Sequence, residues 1–323
     1  MESWDLSQLE DESEGFDRVV LATPDIDPFC SSTDWIIPAT SAFAPDVRPW
    51  ILRTESGYLT FGERQRARQT ILHSLDPMWG FACPLLGADP RAIVSDLYRS
   101  LGHRGRWHMV AVSGVVDGSP LFEALIDTFG DTHKLFRGTD MSTHLASLDG
   151  GPDGYLARRS SRFRKGIRQA TRRAEDSGIR FEVASACDAR TADALLDRAL
   201  EVEHRSWKAE QDGGIIDPRM QHFYRMIARR LAPDGRLRLL FARHDEHDIG
   251  YILGGVRDGV YRGLQVSFDQ EWSRASIGNL LQWHQICSLA DEGVTGYDLG
   301  MDMEYKSSWS DETFETMTVV IRP

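Results

Sequence analysis

The residues best suited to chemistry lie near the C-terminal end. A strand-like apolar run, Val260 to Phe268, leads through Arg274-Ala-Ser-Ile-Gly278 into a helix-like run, and Gly296 to Gly300 and Glu304 to Trp309 follow. A turn holding a small residue and a glycine at a helix start points unpaired backbone N–H groups at one spot, where a pyrophosphate can sit. Strand, phosphate turn, helix and strand in that order suit an acyl thioester carried on coenzyme A.

Those elements belong to an alternating pattern. Thr33 to Phe43, Trp50 to Phe61, Asp89 to Leu101, Trp107 to Val116 and Pro120 to Phe129 alternate helix-like and strand-like segments. The Gly150-Gly-Pro-Asp-Gly154 cluster is the strongest breaker and predicts a domain boundary at residue 150. Beyond it the expected order is a basic helix, a strand at Arg180 to Ala184, a helix at Ala189 to Lys208 and a helix at Pro218 to Leu231. Strands at Arg236 to Arg243, Ile249 to Val256 and Val260 to Phe268 are joined by turn-rich segments and predict an antiparallel meander. A helix at Ile277 to Glu292 and strands at Gly296 to Gly300 and Met317 to Arg322 complete the set. The expected fold class is α/β with mixed, largely antiparallel sheets flanked by helices, unlike a doubly wound sheet.

Charge narrows the partners. The chain of 323 residues carries a net charge of −12, which disfavours nonspecific nucleic-acid binding. One stretch runs against that total. Arg158, Arg159, Arg162, Arg164, Lys165, Arg168, Arg172 and Arg173 lie in it without an acid, and Gly178 is a natural helix stop. A solvated helix docked on acidic surface of the same chain is the plainer reading; coenzyme phosphates, an acidic carrier or RNA are the others. Residues 1–18 are rich in acids and predict a tail without fixed structure. With no long apolar run and no signal-like start, a soluble, cytoplasmic protein is expected, with no membrane partner.

Cys30, Cys83, Cys187 and Cys287 are too far apart for a CxxC pair or a disulfide framework. The acidic pairs at Asp25/Asp27 and Asp302/Glu304 and the His244-to-His247 segment lack the frames of metal sites, so no metal is expected.

The order Tyr155-Leu156, arginine-rich helix, His204-Arg-Ser-Trp207, strand hairpin, Ser276-Ile-Gly-Asn-Leu-Leu281, Tyr297-Asp-Leu-Gly300 and Tyr305-Lys306 with Trp309 resembles the BioF2-like or CelD-like branch of the GNAT superfamily. Trp35, Trp79 to Asp89 and Trp107 extend the resemblance through the first half. That branch is related to the FemABX aminoacyl-transferases, so the resemblance implies two tandem GNAT-like domains, at 19–150 and 151–323, the second carrying the acyl-coenzyme A site.

Acyl transfer from a thioester to an amine or hydroxyl needs a deprotonated acceptor, a polarised carbonyl and a protonated leaving thiolate. The resemblance implies that the backbone from Leu264 through Gln265, Val266, Ser267 and Phe268 pairs with the pantetheine arm. The pyrophosphate would rest on Arg274, Ser276, Ile277, Gly278 and Asn279. Base candidates are His204, Glu203, Asp269 and Glu271, with His204 first because histidine titrates near neutrality. Tyr305 is the expected general acid, and Lys306 would hold a phosphate or an acceptor carboxylate. Trp207 and Asp298 are expected at the acceptor side.

The donor expected is acetyl-coenzyme A or another acyl-coenzyme A, and the acceptor a small molecule or sugar. The alternatives are a FemABX-like aminoacyl-tRNA-dependent ligase and a GNAT-like binding module without catalysis. Acceptor identity and oligomeric state are not legible.

Overall fold

The computed structural model describes residues 2–206, 208 and 214–323 and divides into two compact units. The first unit comprises Met1–Ser142 with Glu315–Pro323, and the second Thr143–Phe314. The division therefore falls earlier than the glycine cluster at 150, and a C-terminal segment returns to the first unit. The glycines instead start a short helix, with Gly150 and Gly151 both at positive φ.

In the first unit the order is β1 (Glu2–Trp4), α1 (Leu6–Asp11), α2 (Ser13–Ala22), α3 (Thr33–Phe43), β2 (Arg48–Arg53), β3 (Tyr58–Arg66), β4 (Gln69–Ser74), β5 (Leu85–Leu86), α4 (Pro90–Arg104), β6 (Met109–Val115) and α5 (Pro120–Phe129). Strand β7 (Lys134–Ser147) then passes into the second unit. The expected acidic tail is ordered. Trp4, Leu9, Phe16 and Val20 are buried, and an Asp5–Gln8 capping box starts α1. The acids occupy the outer face of these helices, which is why composition alone suggested disorder.

The second unit holds α6 (Gly151–Ala157), α7 (Ser161–Asp176), β8 (Ile179–Ala184), α8 (Ala189–Glu203), α9 (Pro218–Leu231), β9 (Leu237–His244), β10 (His247–Arg257), β11 (Val260–Phe268), α10 (Ile277–Asp291) and β12 (Gly296–Met301), and β13 (Glu312–Arg322) leads out of it. Strands β8 to β11 form the expected antiparallel meander, and β12 joins β11 in parallel. Helix α8 ends at Glu203, five residues short of the expected Lys208.

Local rules set these boundaries. Ser160 accepts a hydrogen bond from Phe163 N to start α7, Asp188 and Thr191 form a capping box for α8, and Asp217 with Pro218 starts α9. Ala170 and Ala174 of α7 and Ile277, Leu280 and Leu281 of α10 pack on Leu240, Ala242 and Ile252 of the sheet. Tyr155, Tyr261, Ile286, Tyr297 and Trp309 form a second cluster, so Trp309 is a core residue. Among the described residues no helix is long and apolar enough to cross a membrane.

Candidate active site

The parallel ladder between β11 and β12 is short. It pairs Val260 with Gly296, Tyr261 with Tyr297 and Arg262 with Asp298, and stops there. At the stopping point Arg262 and Asp298 form a buried ion pair, and Asp298 Oδ1 also accepts from Gly300 N at 2.7 Å. Gly300 needs its glycine, because φ is +80° and a Cβ there would lie only 3.2 Å from the Gly263 carbonyl oxygen. On its other side β11 carries a bulge, because Leu264 has no partner between the Gly254–Gly263 and Leu253–Gln265 pairs. Bulges bend a strand and re-aim its backbone. The backbone beyond Arg262 is thus freed from β12, leaving groups of β11 that can pair with an extended ligand.

The same end of β11 leads into α10. Ser276 adopts the left-handed conformation at φ +61° and gives the helix no side-chain cap. Leu280 N bonds back to Ser276 O at 3.1 Å, leaving the earlier amides of Ile277, Gly278 and Asn279 at the helix start. The Phe268 ring lies against Gly278, where a Cβ would come within 3.2 Å of it. Arg173 of α7 reaches Ser276 Oγ at 3.5 Å, and Arg274 is exposed in the turn before the helix. Five of the expected phosphate residues therefore share one turn.

Beneath the bulge lies a polar network. Glu203 is fully buried; its carboxylate accepts from Tyr251 OH at 3.0 Å, Ile215 N at 3.2 Å and Gln265 Nε2 at 3.3 Å. Lys208 Nζ donates to Gln265 Oε1 at 3.2 Å and to Val266 O at 2.7 Å, and Tyr224 OH donates to the Leu264 carbonyl at 3.3 Å. Burial lowers the Lys208 ammonium's pKa, against the opposing pull of Glu203. Burial also raises the Tyr224 and Tyr251 phenols, with Glu203 adding to it, so both remain protonated donors.

Across the opening, Lys306 is buried and its Nζ donates to Met301 O at 2.7 Å. Its pKa falls to about 8, chiefly through burial and then through the Arg262 charge, while Asp298 and Asp302 pull it upward. Tyr305 beside it is 41% exposed, and desolvation raises its phenol above the ordinary value.

The expected residues separate on this geometry. Glu203, ranked behind His204 as a base, sits in the network, whereas His204 caps α8 at the exposed surface. Asp269 pairs with Arg205 Nε at 2.7 Å and accepts from Glu271 N at 3.0 Å, so it fastens the turn after β11. Asp298 is engaged with Arg262 and Gly300. Trp207 lies outside the described residues. Sequence reasoning missed Lys208, Tyr224, Tyr251 and Arg262. An arginine inside an otherwise apolar strand signals the last; nothing local marks the other three. Among the described residues no group of three or more His, Cys, Asp or Glu is arranged to hold a metal.

The comparisons with known proteins bear on this strand parting, bulge and open helix start. Residues 161–307 match a family described as acetyltransferase (GNAT) domain. No curated protein matches the chain in sequence. A solved structure of FemX is similar with a TM-score of 0.67 at 12% identity, covering 98% of this chain and 97% of that one. A conserved protein of unknown function from Bacteroides thetaiotaomicron VPI-5482 gives 0.65 at 8% identity, with 99% of each chain covered. L-PGS from Bacillus licheniformis gives 0.52 at 10% identity, covering 85% of this chain and 84% of that one. The matched segment lies within the second unit, and the chain shares with FemX a mixed α/β fold.

Proposed function

We propose that the protein transfers an acetyl or other acyl group from coenzyme A to an amine or hydroxyl of a small molecule or sugar. The observation that carries this reading is the uncapped start of α10 at the end of β11 where that strand has parted from β12. The amides of Ile277, Gly278 and Asn279, with Arg274 and Arg173 alongside, suit a pyrophosphate. The β11 backbone beyond Arg262, apart from the Leu264 and Val266 carbonyls held by Tyr224 and Lys208, suits the pantetheine amides and a thioester carbonyl.

The acceptor attacks the thioester carbon, forming the new N–C or O–C bond and breaking the C–S bond. The acceptor's proton passes into the buried network of Glu203 and Lys208. Lys306 gives a proton to the departing thiolate, and an amine with a pKa of about 8 can do so near neutral pH and be recharged. Tyr305 assists at the same edge; Tyr305→Phe is expected to lower turnover several-fold, about one hydrogen bond's contribution, with coenzyme affinity unchanged. Unchanged turnover would remove Tyr305 from the reaction.

Thermal stabilisation by acetyl-coenzyme A, longer acyl-coenzymes A and free coenzyme A tests the donor. Ligand at about 100 times its Kd adds about 2.7 kcal/mol, or a Tm rise on the order of 5 °C. No rise with any of the three would reject the reading. Transfer of an aminoacyl group from tRNA is the second reading, favoured by the exposed cations of α7; salt-dependent tRNA binding without coenzyme binding would select it.

A further inference from the structure

Helix α7 stands apart from the other charged helices. Elsewhere in the second unit many arginines are matched to acids, among them Arg198 to Asp248 at 2.9 Å, Arg225 to Asp197 at 2.7 Å, Arg229 to Asp193 at 2.7 Å and Arg243 to Glu182 at 2.9 Å. Within the basic stretch, Arg159 is held by Asp311 at 2.7 Å, Arg158 by the same acid at 3.4 Å, and Arg164 by the Arg159 carbonyl at 2.6 Å. Arg162, Lys165, Arg168, Arg172 and Arg173 are exposed and form no ion pair among the described residues. The plainer expectation, that this helix is docked on acidic surface of its own chain, does not account for these five.

At 100° per residue the five cations span an arc of about 140°, opposite the buried Ile167, Ala170 and Ala174. From Arg162 to Arg173 the stripe runs about 16 Å. Like charges three and four apart on one helix repel, so the free protein bears a cost that an anionic partner would relieve. Only one end of the stripe meets the proposed coenzyme site, through Arg173 and Ser276. A free coenzyme would leave the remainder unused.

We propose that the exposed cationic face of α7 docks an acidic, helical carrier domain that delivers the acyl thioester on a phosphopantetheine arm into the opening between β11 and β12. This rests on the acyl-transfer reading and names the donor's carrier. The arm's phosphate takes the α10 start, carboxylates on a carrier helix match the stripe, and the carrier departs with a free thiol once its C–S bond is broken.

Two observations favour an acidic protein over a nucleic acid. The chain's net charge of −12 disfavours a long phosphate polymer, and the stripe is only about 16 Å long. The five positions also have no exposed aromatic between them to stack a base, Phe163 being packed against Trp309.

The test uses the full chain and a small acidic carrier protein bearing an acetylated phosphopantetheine arm, with the armless carrier, acetyl-coenzyme A, a single-stranded RNA and phosphatidylglycerol vesicles as comparison probes. Arg162→Glu/Lys165→Glu/Arg168→Glu is expected to weaken loaded-carrier binding by about tenfold or more, and the matching triple glutamine variant by less, both effects shrinking in high salt. Stabilisation by acetyl-coenzyme A should be the same in all three proteins. The glutamine variant guards against misfolding of the charge reversal. Unchanged carrier affinity in either folded variant would overturn the inference, as would RNA or vesicles binding more tightly than the loaded carrier. Acetyl-coenzyme A binding without carrier binding sinks the docking surface alone; failure of both, with loaded and armless carriers alike, sinks the acyl-donor reading with it.

Discussion

Each unit contains a strand that leads into a helix, β6 through a short turn into α5 in the first and β11 through a 3-10 helix at Gln270–Ala275 into α10 in the second, and the two helix starts are finished differently. In α5 the Ser119 hydroxyl accepts from Phe122 N at 3.2 Å, and Pro120 removes another donor at the first position. In α10 the serine at the same place is left-handed and caps nothing. One helix start meets its own hydrogen-bonding needs; the other leaves donors uncapped, and in the proposed function those are the ones that meet the pyrophosphate. The difference lies in one residue's backbone conformation, and on the proposed function it separates a supporting element from a binding one.

The comparison is broken or sharpened most strongly at Lys306. Lys306→Met is expected to lower kcat by about 100-fold or more while coenzyme affinity stays within about twofold, as for a lost proton donor. Equal turnover would move the proton transfer elsewhere. The same variant has a stability signature. Because the folded-state pKa is about 8 against an ordinary 10.5, the unfolded chain binds the extra proton between those values. Stability therefore rises as pH climbs through that window, by about 3 kcal/mol in full. Denaturation of wild type and Lys306→Met from pH 8 to 10 should show a larger rise in wild type, the variant keeping only the contribution of Lys208 and other groups.

A smaller effect separates the two helix starts. Asn279→Asp, nearly isosteric and exposed in the first turn of α10, should stabilise the free helix by a few tenths of a kcal/mol and yet weaken coenzyme binding by about tenfold, since it sets a negative charge where the pyrophosphate rests. Calorimetric titration beside a melting curve reads both, and equal affinity would put the phosphates elsewhere. Ser119→Ala at α5 should do the reverse, costing about 1 kcal/mol of stability with coenzyme affinity untouched.

What the sequence made legible follows from how local each signal is. The β9–β11 meander, α10 and α7 announce themselves through turn residues and helical spacing. The ordering of residues 2–22 was masked because acids dominate the composition while Trp4, Leu9, Phe16 and Val20 face inward. His204 outranked Glu203 on intrinsic pKa, a property of the residue alone. What places Glu203 in the site is the company of Tyr251, Gln265 and Lys208, which only the tertiary fold assembles. The burial of Lys306 next to the Arg262–Asp298 pair is equally non-local.

The return of β13 to β6 bears on how the protein is made. Met317 pairs with Val115 and Ile321 with Val110, so the first unit's sheet is finished by residues synthesised after the whole second unit. Until then β6 presents an open edge to its surroundings. The N-terminal unit begins first and is completed last, and a ribosome stalled late in the message would release a chain whose earliest-made half is the unfinished one.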